Sequence, residues 1–502
     1  MSVEYLKRIL SARVYDVAIE SALDYAPLLS ERLNNHVWLK REDTQPIFSF
    51  KLRGAYNKMV RLTPAECKPG VVASSAGNHA QGVALAAAKL GIQATIVMPR
   101  TTPEIKVDAV RRLGATVELH GDNYDGAYEF ASKLCAEKGC TFVHPYDDPD
   151  VIAGQGTVGM EILKQHGGDL DAIFVPVGGG GLIAGIAAFV KEMRPEIRVI
   201  GVEPEDADAM SQSLAAGKRV RLETVGTFAD GVAVRQVGVE TFRIAQEWVD
   251  EIVVVSNDAI CGAVKEVYED RRSVLEPSGA LAYAGLREFA LRENITGKQL
   301  VAIASGSNMN FDRLRHISER AEIGERREAV IAVNIPEKPG SFRQFCSDIG
   351  ARNVTEFNYR YADSSQATVF VGLQIKNGAE IAAVMDDLRE SGYRTVDLTD
   401  NEVAKLHVRH MVGGKAPQVG KEIVLNFQFP ERPGALMNFL QKMGERWNIS
   451  LFHYRNHGAD FGRVLVGLQV PPANAGELRT FLSDLDYSYT DESDNPAIGL
   501  FL

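Results

Sequence analysis

Ala172-Ile-Phe-Val-Pro-Val177-Gly178-Gly179-Gly180-Gly181-Leu182-Ile-Ala-Gly-Ile-Ala-Ala-Phe-Val190 decides the fold. The uncharged apolar run Ala172–Val177 suits a strand buried on both faces, which places it in a parallel sheet covered by helices. Four glycines turn the chain, and from Leu182 the apolar residues continue at helical spacing. The same alternation extends outward over residues 36 to 305. Val71–Ala73, Ala94–Met98, Thr116–Leu119, Val199–Val202 and Leu300–Ala304 read as further buried strands, with helical patterns such as Gln81–Leu90 and Pro103–Leu113 between them. This implies an α/β fold with parallel sheet.

The pattern changes at the charge-rich Ala321–Glu328, and a repeat follows. Ile335-Pro-Glu-Lys-Pro-Gly-Ser-Phe342 returns as Phe429-Pro-Glu-Arg-Pro-Gly-Ala-Leu436, and Asn353-Val-Thr-Glu-Phe-Asn-Tyr-Arg360 as Asn448-Ile-Ser-Leu-Phe-His-Tyr-Arg455. Val371-Gly-Leu-Gln-Ile375 matches Val466-Gly-Leu-Gln-Val470, and Tyr393–Asn401 echoes Tyr487–Asn495. The offset stays at 94 or 95. Each copy reads strand, Pro-Gly turn, helix, strand, strand, which fits a small α+β module. The expected organisation is an α/β domain over 1–320, a linker over 321–328, modules over 329–412 and 424–502, and a second linker over 413–423.

A chain of 502 residues predicts two to four domains. Its formal charge of −11 leaves no basic excess for phosphate backbones, so no nucleic-acid partner is expected. The five cysteines form no C-x-x-C pair and read as free thiols of a reducing compartment. The N-terminus has no secretory pattern, and the longest apolar run, Leu182–Val190, is too short to cross a bilayer. A cytoplasmic protein without a membrane partner is expected.

Three segments carry chemistry. In Ser49-Phe-Lys51-Leu-Arg-Gly-Ala55 a lysine stands beside apolar residues at a helix start. Desolvation there eases loss of its proton, as Schiff-base chemistry requires; taken alone, it also fits a surface charge. Ser74, Ser75, Ala76 and Gly77 are small residues between a strand and a helix, followed by Asn78 and His79. Their amides can approach an anion at a helix N-terminus, and the segment equally suits a tight turn with Asn78 as cap and His79 as a polar residue on the helix face. Gly178, Gly179, Gly180, Gly181 and Leu182 make a phosphate cradle. They also satisfy the dinucleotide fingerprint, with Glu203 where a ribose-binding acid would stand, so a nicotinamide dehydrogenase remains a reading of that segment.

Together the three segments resemble the fold-type II pyridoxal-phosphate (PLP) enzymes, which are tryptophan synthase β-like, and within them the threonine/serine dehydratases. Ser49-Phe-Lys51 is similar to their Schiff-base motif, Ser74–His79 to the loop facing substrate carboxylate and cofactor, and Gly178–Leu182 to their phosphate loop. Ser305, in Ala304-Ser-Gly-Ser307, matches the residue facing the pyridine nitrogen. The repeats resemble the two ACT-like regulatory modules of the long, biosynthetic members.

This resemblance implies that Lys51 holds PLP and takes the Cα proton, that Asn78, Ser305 and Gly178–Leu182 bind the cofactor, and that Ser74–His79 receive the substrate. The implied reaction turns L-threonine into 2-oxobutanoate and ammonia, the entry step of isoleucine biosynthesis, with isoleucine as inhibitor in a homotetramer. L-serine as substrate, valine as opposing effector, a serine-racemase-like activity, and an amino-acid-binding regulator with an inactive catalytic domain are the alternatives. Relatives that hold a divalent cation use a Glu at Glu203 and an acid six residues on; Ala209 breaks that pattern, so no metal is expected and Glu203 is read as ion-paired or solvated. The repeated Tyr359 and Tyr454 are candidate effector-site residues, with module core as the competing role.

Overall fold

Ala172–Pro176 lies inside a six-stranded sheet of order Leu23–Tyr25, His36–Arg41, Gln299–Ala304, Ala172–Pro176, Arg198–Pro204, Glu251–Val255. Every neighbouring pair is parallel except the N-terminal edge strand, which runs antiparallel to His36–Arg41. All five residues of Ala172–Pro176 are buried, as an apolar run between two helix layers requires. The structure, a computed structural model, describes residues 2–324, 327–336, 344–345, 348–349, 354–359, 366–375, 379–410, 422–430, 438–439, 442–443, 446–455 and 461–501. It divides into two compact units, Met1–Ile317 and Ser318–Leu502.

The first unit holds two sheets. The second is four-stranded and all parallel, in the order Thr116–Leu119, Ala94–Met98, Val71–Ser74, Thr141–Phe142. Thr116–Leu119, expected to be buried, is largely exposed, because it is the edge of this sheet and its polar residues face water.

Helix Lys51–Met59 lies in the interior of this unit, and its position is set by two features. It crosses helix Pro149–Gln165 at a close approach, where a Cβ on Gly154 would stand 2.7 Å from Arg53 O. Arg53 itself is fully buried and is held by Glu42 at 2.8 Å and Glu161 at 2.6 Å, while Lys40 also reaches Glu161 at 2.6 Å. Two cations and two carboxylates balance in a dry environment. Removing one member of such a set costs about 3–5 kcal/mol, because the remaining charge stays buried without its partner.

The second unit carries the repeat. Strands Glu328–Pro336, Val354–Tyr359, Gln366–Gln374 and Arg394–Asp397 form an antiparallel sheet in the spatial order second, third, first, fourth. Ile423–Pro430, Asn448–Arg455, Phe461–Gln469 and Tyr489–Asp491 repeat that order. Even the register shifts correspond, at Val354/Glu356 and Ile449/Leu451. A fourth strand and the helices Ala379–Glu390 and Ala475–Leu485 complete each copy beyond the elements expected from sequence. The copies share a core that includes Val330, Phe370, Leu398, Val424, Leu465 and Ile498, and Asn401 donates to its repeat counterpart Asn495 at 3.2 Å. Helix Arg313–Gly324 runs into the 321–328 segment, whose last residue begins a strand, and 411–421 lie outside the described residues.

Candidate active site

Lys51 is the first residue of its helix and is half-buried. Its Nζ donates to Pro145 O at 3.0 Å and lies 5.3 Å from the Phe50 ring centroid. Burial pushes its pKa down to about 8, although Glu276 pulls in the opposite direction. An amine in that range is partly neutral near physiological pH and can act as nucleophile or base.

The glycine loop faces this region. Gly180 adopts φ +95°, which only glycine enters readily, and caps helix Gly181–Met193, whose N-terminal amides receive no side-chain capping hydrogen bond. A Cβ on Gly179 would fall 2.2 Å from the Tyr146 ring, and one on Gly178 would come within 2.8 Å of Val232 Cα. The loop is therefore an all-backbone surface whose amides and helix dipole suit a phosphate.

From the four-stranded sheet come Ser74, Ser75, Ala76, Gly77, Asn78 and His79, where strand Val71–Ser74 hands over to helix Asn78–Leu90. Asn78 Nδ2 donates to Glu276 Oε1 at 2.6 Å, and its Oδ1 accepts from Asn308 Nδ2 at 2.7 Å. His79 is buried with Nε2 on Val143 O at 2.9 Å, and burial, helped by the Lys51 charge, pushes its pKa down to about 3. The imidazole is therefore neutral. Ser305 directly follows the strand Gln299–Ala304, and its buried hydroxyl donates to Ser278 O at 3.1 Å.

Several residues here had not been singled out from the sequence. Glu276 is buried, and its carboxyl is pushed up by that burial and by Asp230. Burial also raises the Asp230 carboxyl, but Lys106 and Arg313 outweigh it and hold the group well below the ordinary carboxylate range. Tyr146 packs over the glycine loop and donates to Gln236 O at 3.3 Å. The available signals were small: a glutamate opening the run Glu276-Pro-Ser-Gly279, and the tyrosine after Pro145.

Glu203 differs from its expected place. It is fully buried rather than ion-paired or solvated, with its two oxygens accepting from Met210 N at 2.9 Å and Ser211 N at 2.8 Å. It therefore caps helix Ala209–Ala216 from the end of the preceding strand. Burial pushes its pKa up to about 8. Among the described residues no group of three or more His, Cys, Asp or Glu could hold a metal ion.

Backbone positions 359 and 454 stand opposite Val369 and Val464 in their sheets; the side chains of Tyr359 and Tyr454 lie outside the described residues.

The donor set fits PLP. A desolvated lysine, a bare glycine cradle at a helix N-terminus and a buried neutral hydroxyl surround one region, and the buried hydroxyls of Ser49 and Ser74 lack hydrogen-bond partners. A polar ligand would satisfy them.

Fold and site together define a pyridoxal-phosphate-dependent enzyme, and residues 17–306 match the family profile "Pyridoxal-phosphate dependent enzyme". Residues 319–408 and 413–502 each match the C-terminal regulatory domain of threonine dehydratase. The chain is 59% identical to the biosynthetic L-threonine dehydratase of Burkholderia multivorans, over 99% of both chains. It is 53% identical to the chloroplastic biosynthetic threonine dehydratase of Arabidopsis thaliana, covering 100% of this chain and 84% of the relative. It belongs to the biosynthetic threonine dehydratase family. Among solved structures it is similar to the processed form of threonine deaminase isoform 2 from Solanum lycopersicum, with TM-score 0.63 and 52% identity over 64% of this chain and 93% of that one.

Proposed function

We propose that this chain converts L-threonine to 2-oxobutanoate and ammonia at the Lys51 site and that its C-terminal unit subjects the reaction to isoleucine. The observation that carries the first part is the convergence of a desolvated Lys51, the Gly178–Gly181 cradle and Ser305 in a chain of this family.

The glycine loop would hold the cofactor phosphate through backbone amides, and Asn78 and Ser305 would offer neutral hydrogen-bonding groups to the ring. Bound through Lys51, PLP supplies an electron sink for the pair left on Cα when its proton departs. Lys51 would take that proton. The Ser74–His79 loop holds the substrate carboxylate through its amides and the Ser74 hydroxyl. The His79 ring is already committed to Val143 O and braces the loop from behind. The β-hydroxyl would leave as water with the proton removed from Cα, giving an enamine whose imine form takes up water to yield the keto acid and ammonia.

In this reading 1–320 is catalytic, 321–328 and 413–423 are connectors, and 329–412 and 424–502 are regulatory modules. Tyr359 and Tyr454 line effector sites, the assembly is a homotetramer, and the protein works in the cytoplasm; no helix among the described residues is long and apolar enough to cross a membrane. Keto-acid formation from L-threonine and L-serine, with and without isoleucine, tests the function. Preferred turnover of threonine, suppressed by isoleucine, is expected; racemisation of serine without keto acid would reject the reading. Tyr359→Phe and Tyr454→Phe should weaken isoleucine inhibition at unchanged Tm. Normal inhibition with a lowered Tm would make these residues structural.

A further inference from the structure

Asp230 lies where two halves of the catalytic unit meet. It opens the turn Asp230–Val232, and its two oxygens take different cations: Oδ2 accepts from Lys106 Nζ at 2.6 Å and Oδ1 from Arg313 Nη1 at 3.2 Å. Lys106 sits on helix Glu104–Arg112, which connects two strands of the four-stranded sheet, the sheet that also carries the Ser74–His79 loop. Arg313 is buried and gives two further hydrogen bonds to the same stretch, to Phe228 O at 3.0 Å and Thr227 O at 3.3 Å.

That stretch bears directly on the cofactor cradle. Gly178 is pressed against Val232, so that a Cβ on Gly178 would stand 2.8 Å from Val232 Cα, and a Cβ on Gly231 would stand 2.4 Å from Ser278 Oγ, beside the carbonyl that takes the Ser305 hydroxyl. A shift of the turn therefore reaches both the glycine loop and the Ser305 partner through van der Waals contact. Other polar ties among the described residues also join the halves, Asn308 to Asn78 and Tyr146 to Gln236 O among them. Asn78–Glu276 belongs to the site itself, and Asp125 with Arg221 and Arg235 is more exposed, where ion pairs contribute little.

We propose that Asp230 is a positioning residue with two separable arms. Its Lys106 arm sets the spacing between the substrate loop and the glycine loop, and its Arg313 arm seats the Asp230–Val232 turn beneath Gly178. This rests on the reading that Ser74–His79 receive the substrate and Gly178–Leu182 the cofactor phosphate. The two arms act on different parameters. Loss of the first leaves the cradle intact and misplaces the substrate loop; loss of the second loosens the cradle.

The test uses the full chain with Lys106→Met, Arg313→Met, Asp230→Asn and the Lys106→Met/Asp230→Asn double variant. Each is measured for KM and kcat with threonine, for PLP affinity by titrating cofactor-free protein, and for Tm. Lys106→Met should raise KM about tenfold, equivalent to about 1.4 kcal/mol, with PLP affinity within about twofold of wild type. Arg313→Met should weaken PLP binding by a similar factor, Asp230→Asn should do both, and Lys106→Arg should restore most of the KM. In the double variant, Lys106→Met should add nothing to the KM of Asp230→Asn, since the interaction is already gone. Equal changes in both parameters for the two single variants, in step with a fall in Tm, would overturn the proposal, as would additive effects in the double variant or no effect in either single one. If the wild-type chain failed to turn over threonine, the functional reading would fall, and PLP titration of Arg313→Met would still decide the second arm.

Discussion

Lys51 illustrates how a site residue can weaken the fold that holds it. The unfolded chain keeps this proton up to its ordinary value of 10.5, whereas the folded, cofactor-free protein releases it near 8. The unfolded state therefore binds more protons between those values, so folding is penalised most below pH 8 and recovers as pH rises toward 10.5. Lys51→Met should raise the stability of the cofactor-free protein at pH 7 by on the order of 2 kcal/mol, a gain that fades at high pH, while abolishing turnover. Thermal melts across pH check this; a variant less stable than wild type at pH 7 would contradict the burial effect. Lys51 and the glycines could be proposed from the sequence because each chemical signal sits within a few consecutive residues. Glu276, Asn308, Asp230 and Lys106 were not, because their neighbours come from segments far away in the chain and each alone resembles any surface polar residue.

At the scale of elements, the glycine loop depends on what packs against it. Gly179→Ala should drive its methyl into the Tyr146 ring, which is held by its own hydrogen bond to Gln236 O. Overpacking of this kind costs about 1–3 kcal/mol, and the loop amides would move with it. PLP affinity measured by titration should fall at least about tenfold, the equivalent of about 1.4 kcal/mol; unchanged affinity would mean that the loop does not hold the phosphate. The strand–helix alternation was legible because apolar runs and glycine turns are local. Its partition into two sheets was not, since pairing partners are set by tertiary packing. Glu203 shows the same limit: a carboxylate at a strand end looks solvent-facing until the next helix places its free amides against it.

The whole molecule joins a catalytic unit to a duplicated one. The duplication was legible from four ordered matches, and both copies fold with the same strand order. Their fourth strands were not foreseen; Arg394–Asp397 and Tyr489–Asp491 are short and carry little apolar pattern. Removing residues after about Arg320 leaves every proposed catalytic residue in place. The truncated protein should bind PLP and turn over threonine without responding to isoleucine, as initial-rate assays would show; retained inhibition would move the effector site into the catalytic unit. Everything proposed for the catalytic unit depends on Lys51 being the lysine that carries the cofactor. Borohydride reduction of the full chain loaded with PLP, followed by peptide mapping, tests it most directly. The pyridoxyl label should appear on the peptide containing Lys51 and vanish in Lys51→Ala; a label on another lysine, or none, would rule out Lys51 as the carrier.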